Sequence, residues 1–234
     1  MMRIAVWNLH HMGNDKEIPE AVLSVIEHVN ADVLVLTEYV DRGDRGAFKA
    51  ALREKCGYAL PTVSLPGKEP RQNQVLIASR VEQEDGDLHA PEVDEAAKTN
   101  FLHRRFKGLD LEVVGFRVPH YQSEKPRSPG KLVEYWRQFT RLALGLASQK
   151  AVFIGDFNVG NRKVDAAGQD ALKNLTKAGY RMCAEDGGLD RALVSPLLRV
   201  RSFSVIERVA GYTLTGGKSD KALSDHPMLV VEVE

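Results

Sequence analysis

The chain has 234 residues, 43% of them hydrophobic and 27% charged, the composition of an ordinary globular protein. Its 32 basic residues balance its 32 acidic ones, which excludes the strongly basic character of a generic nucleic-acid binder. The only cysteines, Cys56 and Cys183, fit no zinc spacing and sit among apolar residues, so buried free thiols in a reducing cytoplasm are expected.

The N-terminus, MMRIAVWNLH, runs directly into a strand pattern over Arg3–Asn8. It has no signal-peptide core, and no apolar run in the chain is long enough to span a bilayer. Ile18, Val22, Val25, Ile26 and Val29 then recur at helical spacing. Val33–Thr37 reads as a core strand ending at Glu38, and a second helix covers Arg45–Cys56. Tyr58–Val63 and Gln74–Ser79 read as a strand pair. The connection between them, SLPGKEPRQ, carries two prolines and a glycine.

Phe101–Phe106 and Leu111–Val118 alternate about Gly108, as a hairpin does. Ser128 and Pro129 start a helix whose apolar face is Leu132, Trp136, Phe139, Ala143 and Leu146. Ala151–Gly155 is another core strand. Asp165 is a candidate cap for a helix carrying Ala167, Ala171, Leu172 and Leu175. Strands over Leu189–Val194, Arg201–Glu207 and Met228–Val233 complete the chain. No linker or repeat interrupts this order, so a single domain over 1–234 is expected. Two sheets face to face, with helices on the outer faces, would accommodate it.

Chemistry-bearing residues gather at the ends of these strands, where rigid backbone meets solvent. Asn8 ends the first and Glu38 the second. In GDFN, extended backbone turns Asp156 and Asn158 to one side and Phe157 to the other. Asp225 and His226 precede the last strand, and Pro227 favours an irregular segment in which both can reach one cleft. His226 is a candidate general acid or base. Asp190, in GLDRALVS, is a candidate carboxylate behind that imidazole. Glu38 suits a hard divalent cation, since magnesium takes one or two carboxylates and completes its shell with water and phosphate. Arg104, Arg105 and Lys107 form a candidate basic patch.

In this order, WNL at Trp7–Leu9, TE at Thr37–Glu38, GDFN at Gly155–Asn158, LDRALVS at Leu189–Ser195 and SDH at Ser224–His226 resemble the endonuclease/exonuclease/phosphatase superfamily. That group includes deoxyribonuclease I, exonuclease III and the apurinic endonucleases. The resemblance implies an α+β fold, the four-layer αββα sandwich of deoxyribonuclease I. It implies that Asn8 and Glu38 hold magnesium, with manganese a possible substitute. Asp156 and Asn158 would then orient the nucleophilic water and the phosphate. Asp225 would support the metal site or His226, and Asp190 would pair with His226. Asn73, in RQNQVLIAS, is a looser match to a phosphate-side residue. The pattern departs at VVGFRVPHY. Relatives carry histidine or tyrosine near the end of that central strand. Two alignments are possible: matching on the Val-Pro pair, which needs no gap and is preferred, puts Arg117 there and His120 at an asparagine position, whereas matching histidine to histidine requires a three-residue shift. Either can donate to a phosphate oxygen, Arg117 with a permanent charge.

The expected activity is magnesium-dependent hydrolysis of phosphodiesters. Nucleic acid is the first candidate substrate, and NVGNRKVD faintly resembles a run in apurinic endonucleases. A small-molecule or lipid head-group phosphate is the alternative, kept open by the neutral charge. A catalytically inactive binding module is a third reading. The sequence leaves open how Asp156 and His226 divide the proton transfers.

Overall fold

A computed structural model describes residues 1–10, 17–42, 45–69, 72–121, 128–216 and 221–234. Residues 70 and 71 of the expected loop lie outside these. In chain order the elements are β1 (Met2–Asn8), α1 (Glu20–Val29), β2 (Val33–Tyr39), α2 (Arg45–Glu54), β3 (Thr62–Val63), β4 (Gln74–Ser79), β5 (Glu84–Asp85) and α3 (Glu95–Thr99). There follow β6 (Phe101–Phe106), β7 (Leu111–Arg117), α4 (Pro129–Gly145), β8 (Ala151–Asp156), α5 (Ala166–Lys177), β9 (Arg181–Cys183), β10 (Asp190–Val194) and β11 (Val200–Ile206). The small pair β12 (Arg208–Val209) and β13 (Tyr212–Thr213) precedes β14 (Met228–Val233).

Among the described residues two six-stranded sheets form, in the orders β11-β14-β1-β2-β4-β3 and β5-β6-β7-β8-β10-β9. Both are mixed. β1 runs parallel to β2 and antiparallel to β14, while β8 runs parallel to β7 and antiparallel to β10. Their inner faces meet in a core rich in β-branched residues, with Val6, Val35 and Ile77 from the first sheet and Val113, Ile154 and Val194 from the second. The outer face of the first sheet, Trp7, Leu34 and Leu36, lies under Val22, Ile26 and Phe48 of α1 and α2. The outer face of the second, Phe116 and Phe153, lies under Trp136, Phe139 and Leu172 of α4 and α5. The layers are therefore αββα, because each sheet has two apolar faces and each helix one. No helix of the described residues is long and apolar enough to cross a membrane.

Local differences from the expected elements have physical causes. The strand expected over Tyr58–Val63 shrinks to Thr62–Val63. Tyr58 is buried in the helix-covered core, with its hydroxyl donating to the Ala31 carbonyl at 3.0 Å, and Pro61 has no N–H for a ladder. Asp165 precedes α5, but its carboxylate accepts from Gly160 N and Arg162 Nε rather than from the helix. The helix α3 escapes a search for periodicity because it is only five residues long, capped by Asp94 Oδ1 on Ala97 N. Both cysteines are buried and free. The basic run is no open patch. Arg104 pairs with Asp85, Arg105 with Asp87 and Glu112, and Lys107 with Glu84.

Candidate active site

The strand ends named from the sequence converge at one end of the sandwich, from both sheets. Register brings them together: Asn8 pairs with Thr37 beside Glu38, and Asp156 pairs with both Arg117 and Asp190. Glu38 has φ 53°, and the β2–β4 register shifts between Leu36 and Tyr39. That irregularity re-aims a side chain at a strand end, as bulges near active sites do.

The Asn8 amide joins the group. Its Nδ2 donates to Glu38 Oε1 at 3.3 Å and to Asp156 Oδ2 at 3.1 Å, and lies 3.5 Å from His226 Nε2. Its Oδ1 accepts from the His10 backbone N–H at 2.8 Å. Arg117 Nε donates to Glu38 Oε1 at 2.9 Å and lies 3.7 Å from Asp156 Oδ2. Asn8, Glu38, Arg117 and Asp156 are all buried.

His226 and Asp190 form the second half. The imidazole Nδ1–H donates to Asp190 Oδ2 at 2.6 Å. The other Asp190 oxygen is buried without a hydrogen-bond partner among the described residues. Burial pushes the Asp190 carboxyl up to about 7, against the pull of the His226 hydrogen bond. Burial alone would lower His226, but the hydrogen bond and charge of Asp190, with Asp156 and Asp225 beyond, outweigh it and raise the imidazole to about 9. The pairing favours the charged imidazole beside the Asp190 carboxylate.

Backbone contacts fix this histidine. Ser224 Oγ donates to the Asn8 carbonyl at 2.7 Å and accepts the His226 N–H at 3.0 Å, while Trp7 Nε1 donates to the His226 carbonyl at 3.1 Å. A cavity of about 260 Å³ opens beside the pair, with Leu189, Val205, Pro227 and Leu229 in its wall.

The remaining candidates are placed differently. Asp225 faces His10 at 3.0 Å and the Nε2 edge of His226 at 3.7 Å, rather than the Asn8 amide. Asn158 takes φ 49°, donates its N–H to Asp156 Oδ1 at 3.0 Å and its Nδ2 to the Val118 carbonyl at 2.6 Å. Its amide thus braces the 118–121 segment, while Phe157 enters the core. Of the two departures from the family pattern, Arg117 lies on Glu38 and His120 at the rim. Lost solvation and then the Arg117 charge hold the His120 imidazole below its usual value, against Asp156 and Glu38. Asn73 immediately precedes β4, its Oδ1 buried without a partner among the described residues.

Two contributors were not legible. His10 lies in no motif, and its left-handed backbone, φ 48°, carries it back over Asn8 toward Asp225. Arg191 sits inside the LDRALVS run, where the sequence alone gives it no role of its own. Its guanidinium reaches the Gly188 carbonyl at 3.0 Å and the Val159 carbonyl at 2.5 Å, pinning the loops on either side of the site.

No group of three or more His, Cys, Asp or Glu among the described residues forms a ready metal cage. Magnesium does not need one, because water and phosphate fill most of its shell. Two buried carboxylates, Glu38 and Asp156, gather around the Asn8 amide and bring hard oxygen donors together at this end of the sandwich. The donor set fits such an ion.

Comparison with known proteins gives a consistent picture. A model of the endonuclease/exonuclease/phosphatase family matches residues 5–226. No curated protein matches the chain. Solved structures share the fold across its whole length. An AP endonuclease from Archaeoglobus fulgidus superposes with TM-score 0.69 at 18% identity, with 100% of each chain covered. The 3′ phosphatase NExo from Neisseria, bound to product DNA hairpin, gives 0.69 at 17%, again with 100% of each covered. An endonuclease/exonuclease/phosphatase from Beutenbergia cavernae gives 0.68 at 17%, covering 100% of this chain and 71% of that one.

Proposed function

The chain belongs to the endonuclease/exonuclease/phosphatase family, and from that premise we propose that it is a magnesium-dependent phosphodiesterase acting on nucleic acid, a nuclease or nucleic-acid-end phosphodiesterase. The observation that carries the proposal is the single cluster of Asn8, Glu38 and Asp156 facing the His226–Asp190 pair. The cluster draws on both sheets, which supports treating residues 1–234 as one domain.

In this reading Glu38 and Asp156, with Asn8 beside them, hold the cation. Magnesium, or manganese in its place, supplies Lewis-acid polarisation of a phosphoryl oxygen when bound. The protein's own groups divide the rest. Asp156 accepts hydrogen bonds at both oxygens, from Asn8 Nδ2 and Asn158 N, which fix its orientation. It orients the attacking water and takes its proton. Asp190 favours the charged form of His226, so in this reading the imidazole serves as donor rather than base. Its Nδ1–H is committed to Asp190, and its Nε2–H faces Asn8 and the cleft, where it donates to a non-bridging phosphate oxygen as charge builds. The apolar wall of the neighbouring cavity suits a sugar attached to that phosphate.

The relatives named as acting on DNA support the nucleic-acid substrate. One observation favours the alternative of a small-molecule phosphate: net charge is zero, and the basic run at Arg104–Lys107 is neutralised by its own carboxylates. The deciding experiment presents purified protein and magnesium with single- and double-stranded DNA, abasic DNA, RNA and inositol phosphates. Turnover of an oligonucleotide supports the first reading. Turnover confined to inositol phosphates replaces it with the second.

A further inference from the structure

Arg117 is fastened at one nitrogen only. Its Nε donates to Glu38 Oε1, and its side chain is 10% exposed. Neither terminal nitrogen has a hydrogen-bond partner among the described residues. Neither is among the fully buried partnerless atoms, so each keeps some exposed surface. A guanidinium presents donors in a rigid fork suited to two oxygens of one phosphate, and its charge is permanent. Here the root of the fork is tied to a carboxylate and its tines are open.

The oxygen at the other end of that tie is equally telling. Glu38 Oε1 receives both Arg117 Nε, at 2.9 Å, and Asn8 Nδ2, at 3.3 Å. It is also the Glu38 oxygen turned toward the amide shared with Asp156. An oxygen accepting two hydrogen bonds has no lone pair left to offer a cation from that side, whereas Glu38 Oε2, also buried, accepts no hydrogen bond among the described residues, so the tie closes one oxygen of the carboxylate and not both. Two positive charges, the guanidinium and a divalent ion, would compete for it. A phosphate offers Arg117 a replacement partner of the same sign.

We propose that Arg117 is a counter-ion latch on Glu38: it offsets the carboxylate's charge and occupies Oε1 while the cleft is empty, and incoming phosphate draws the guanidinium onto two of its oxygens and frees Oε1 for the divalent cation. The inference rests on the reading of Glu38 as a metal ligand. Its consequence is that metal and phosphate bind cooperatively through the protein, beyond their direct contact with each other. The coupling is reciprocal, as linkage requires.

The test is calorimetric titration of magnesium alone, of inorganic phosphate alone, and of each with the other saturating. It compares the wild type with Arg117→His, Arg117→Lys and Glu38→Gln. The wild type binds magnesium weakly by itself, and phosphate tightens it by ~tenfold, within the usual span of coupling between sites. Arg117→His binds magnesium alone more tightly than the wild type and shows a smaller coupling factor, having no ion pair to break. Arg117→Lys keeps the charge and the weak metal binding, but loses phosphate affinity with the fork. The Arg117 Nε–H signal in ¹⁵N-edited spectra moves when phosphate and magnesium are both present and stays in place with magnesium alone. An equal coupling factor in the wild type and Arg117→His, or an Nε–H signal indifferent to phosphate, overturns the latch. If Glu38→Gln then still abolishes magnesium binding, the metal-ligand reading stands without the latch. Unchanged magnesium binding by Glu38→Gln overturns both.

Discussion

Gly155 and Phe116 face each other across the parallel β7–β8 pair so closely that a methyl group on Gly155 would lie 1.8 Å from the Phe116 carbonyl oxygen. That neighbour is backbone in a central strand and has nowhere to go. Gly155→Ala must therefore push the two strands apart, one residue before Asp156. Overpacking of a tight interior typically costs about 1–3 kcal/mol, and the backbone contact places this change at the upper end. Thermal unfolding should show that loss. Turnover in the surviving folded protein should fall as well, because Asp156 moves with the strand. A melting temperature equal to the wild type's would reject the argument.

The pairing of Asp190 with His226 predicts a titration. In metal-free protein the His226 imidazole should remain charged at neutral pH and lose its proton only as pH rises through about 9. The raised value comes from a partner that favours the charged form. Asp190→Asn removes that partner's charge, so the titration should move down toward or below the ordinary histidine value of about 6.5. Imidazole NMR shifts followed across pH test both statements. A midpoint unmoved by Asp190→Asn would deny the pair its electrostatic role.

The same pair predicts non-additive kinetics. His226→Ala should reduce turnover by about 10²–10⁴-fold, the scale of positioned proton donors. Asp190→Asn should cost less, since it keeps the shape. The double variant should be scarcely worse than His226→Ala, because residues acting as a unit are lost together. If the two losses multiply, Asp190 does not act through His226.

Metal removal follows from Glu38 and Asp156. Activity should vanish in excess EDTA and return with magnesium or manganese. Glu38→Gln should weaken magnesium binding while the protein stays folded, since the amide keeps the shape of the carboxylate. Full activity in EDTA would end the metal-dependent reading.

Asn158 separates two explanations of one loss. Its φ of 49° is a conformation that asparagine and glycine tolerate, and its side chain braces the Val118 carbonyl. Asn158→Gly keeps the backbone and removes the brace, whereas Asn158→Ala removes the brace and adds strain. If the brace matters, both variants should lose turnover, with alanine also lowering the melting temperature. A fully active glycine variant would confine the role of Asn158 to its backbone.

Much of the architecture was legible because strands and helices announce themselves locally. Alternating residues marked β6 and β7, and Leu132, Trp136 and Phe139 marked α4. The polar residues at strand ends stood out for the same reason: Asn8, Glu38 and Asp156 each stop an apolar run, and Asp190 opens one. Their mutual distances were not legible. Those depend on which strands pair, and register between β8 and β10, or β1 and β14, joins residues more than 30 positions apart. Side-chain direction was hidden as well. Asp225 turns to His10, and the Asn158 amide turns to Val118, through left-handed turns at His10 and Asn158 that residue type only permits. The short elements α3, β5 and β9 were lost because two to five residues hold no periodicity.

The cluster is drawn from two sheets that share no strand and no hydrogen-bonded ladder. Asn8, Glu38 and His226 ride on one, while Arg117, Asp156 and Asp190 ride on the other. Their alignment is therefore kept by a greasy seam of side chains such as Val6, Val35, Val113 and Ile154. A strand advances about 3.3 Å per residue, so a slip of even one notch between the sheets would part Asn8 from Asp156 and His226 from Asp190. The chemistry works as a vernier scale for that seam. Shaving a methyl group from a valine deep between the sheets can misalign the scale with every polar residue intact.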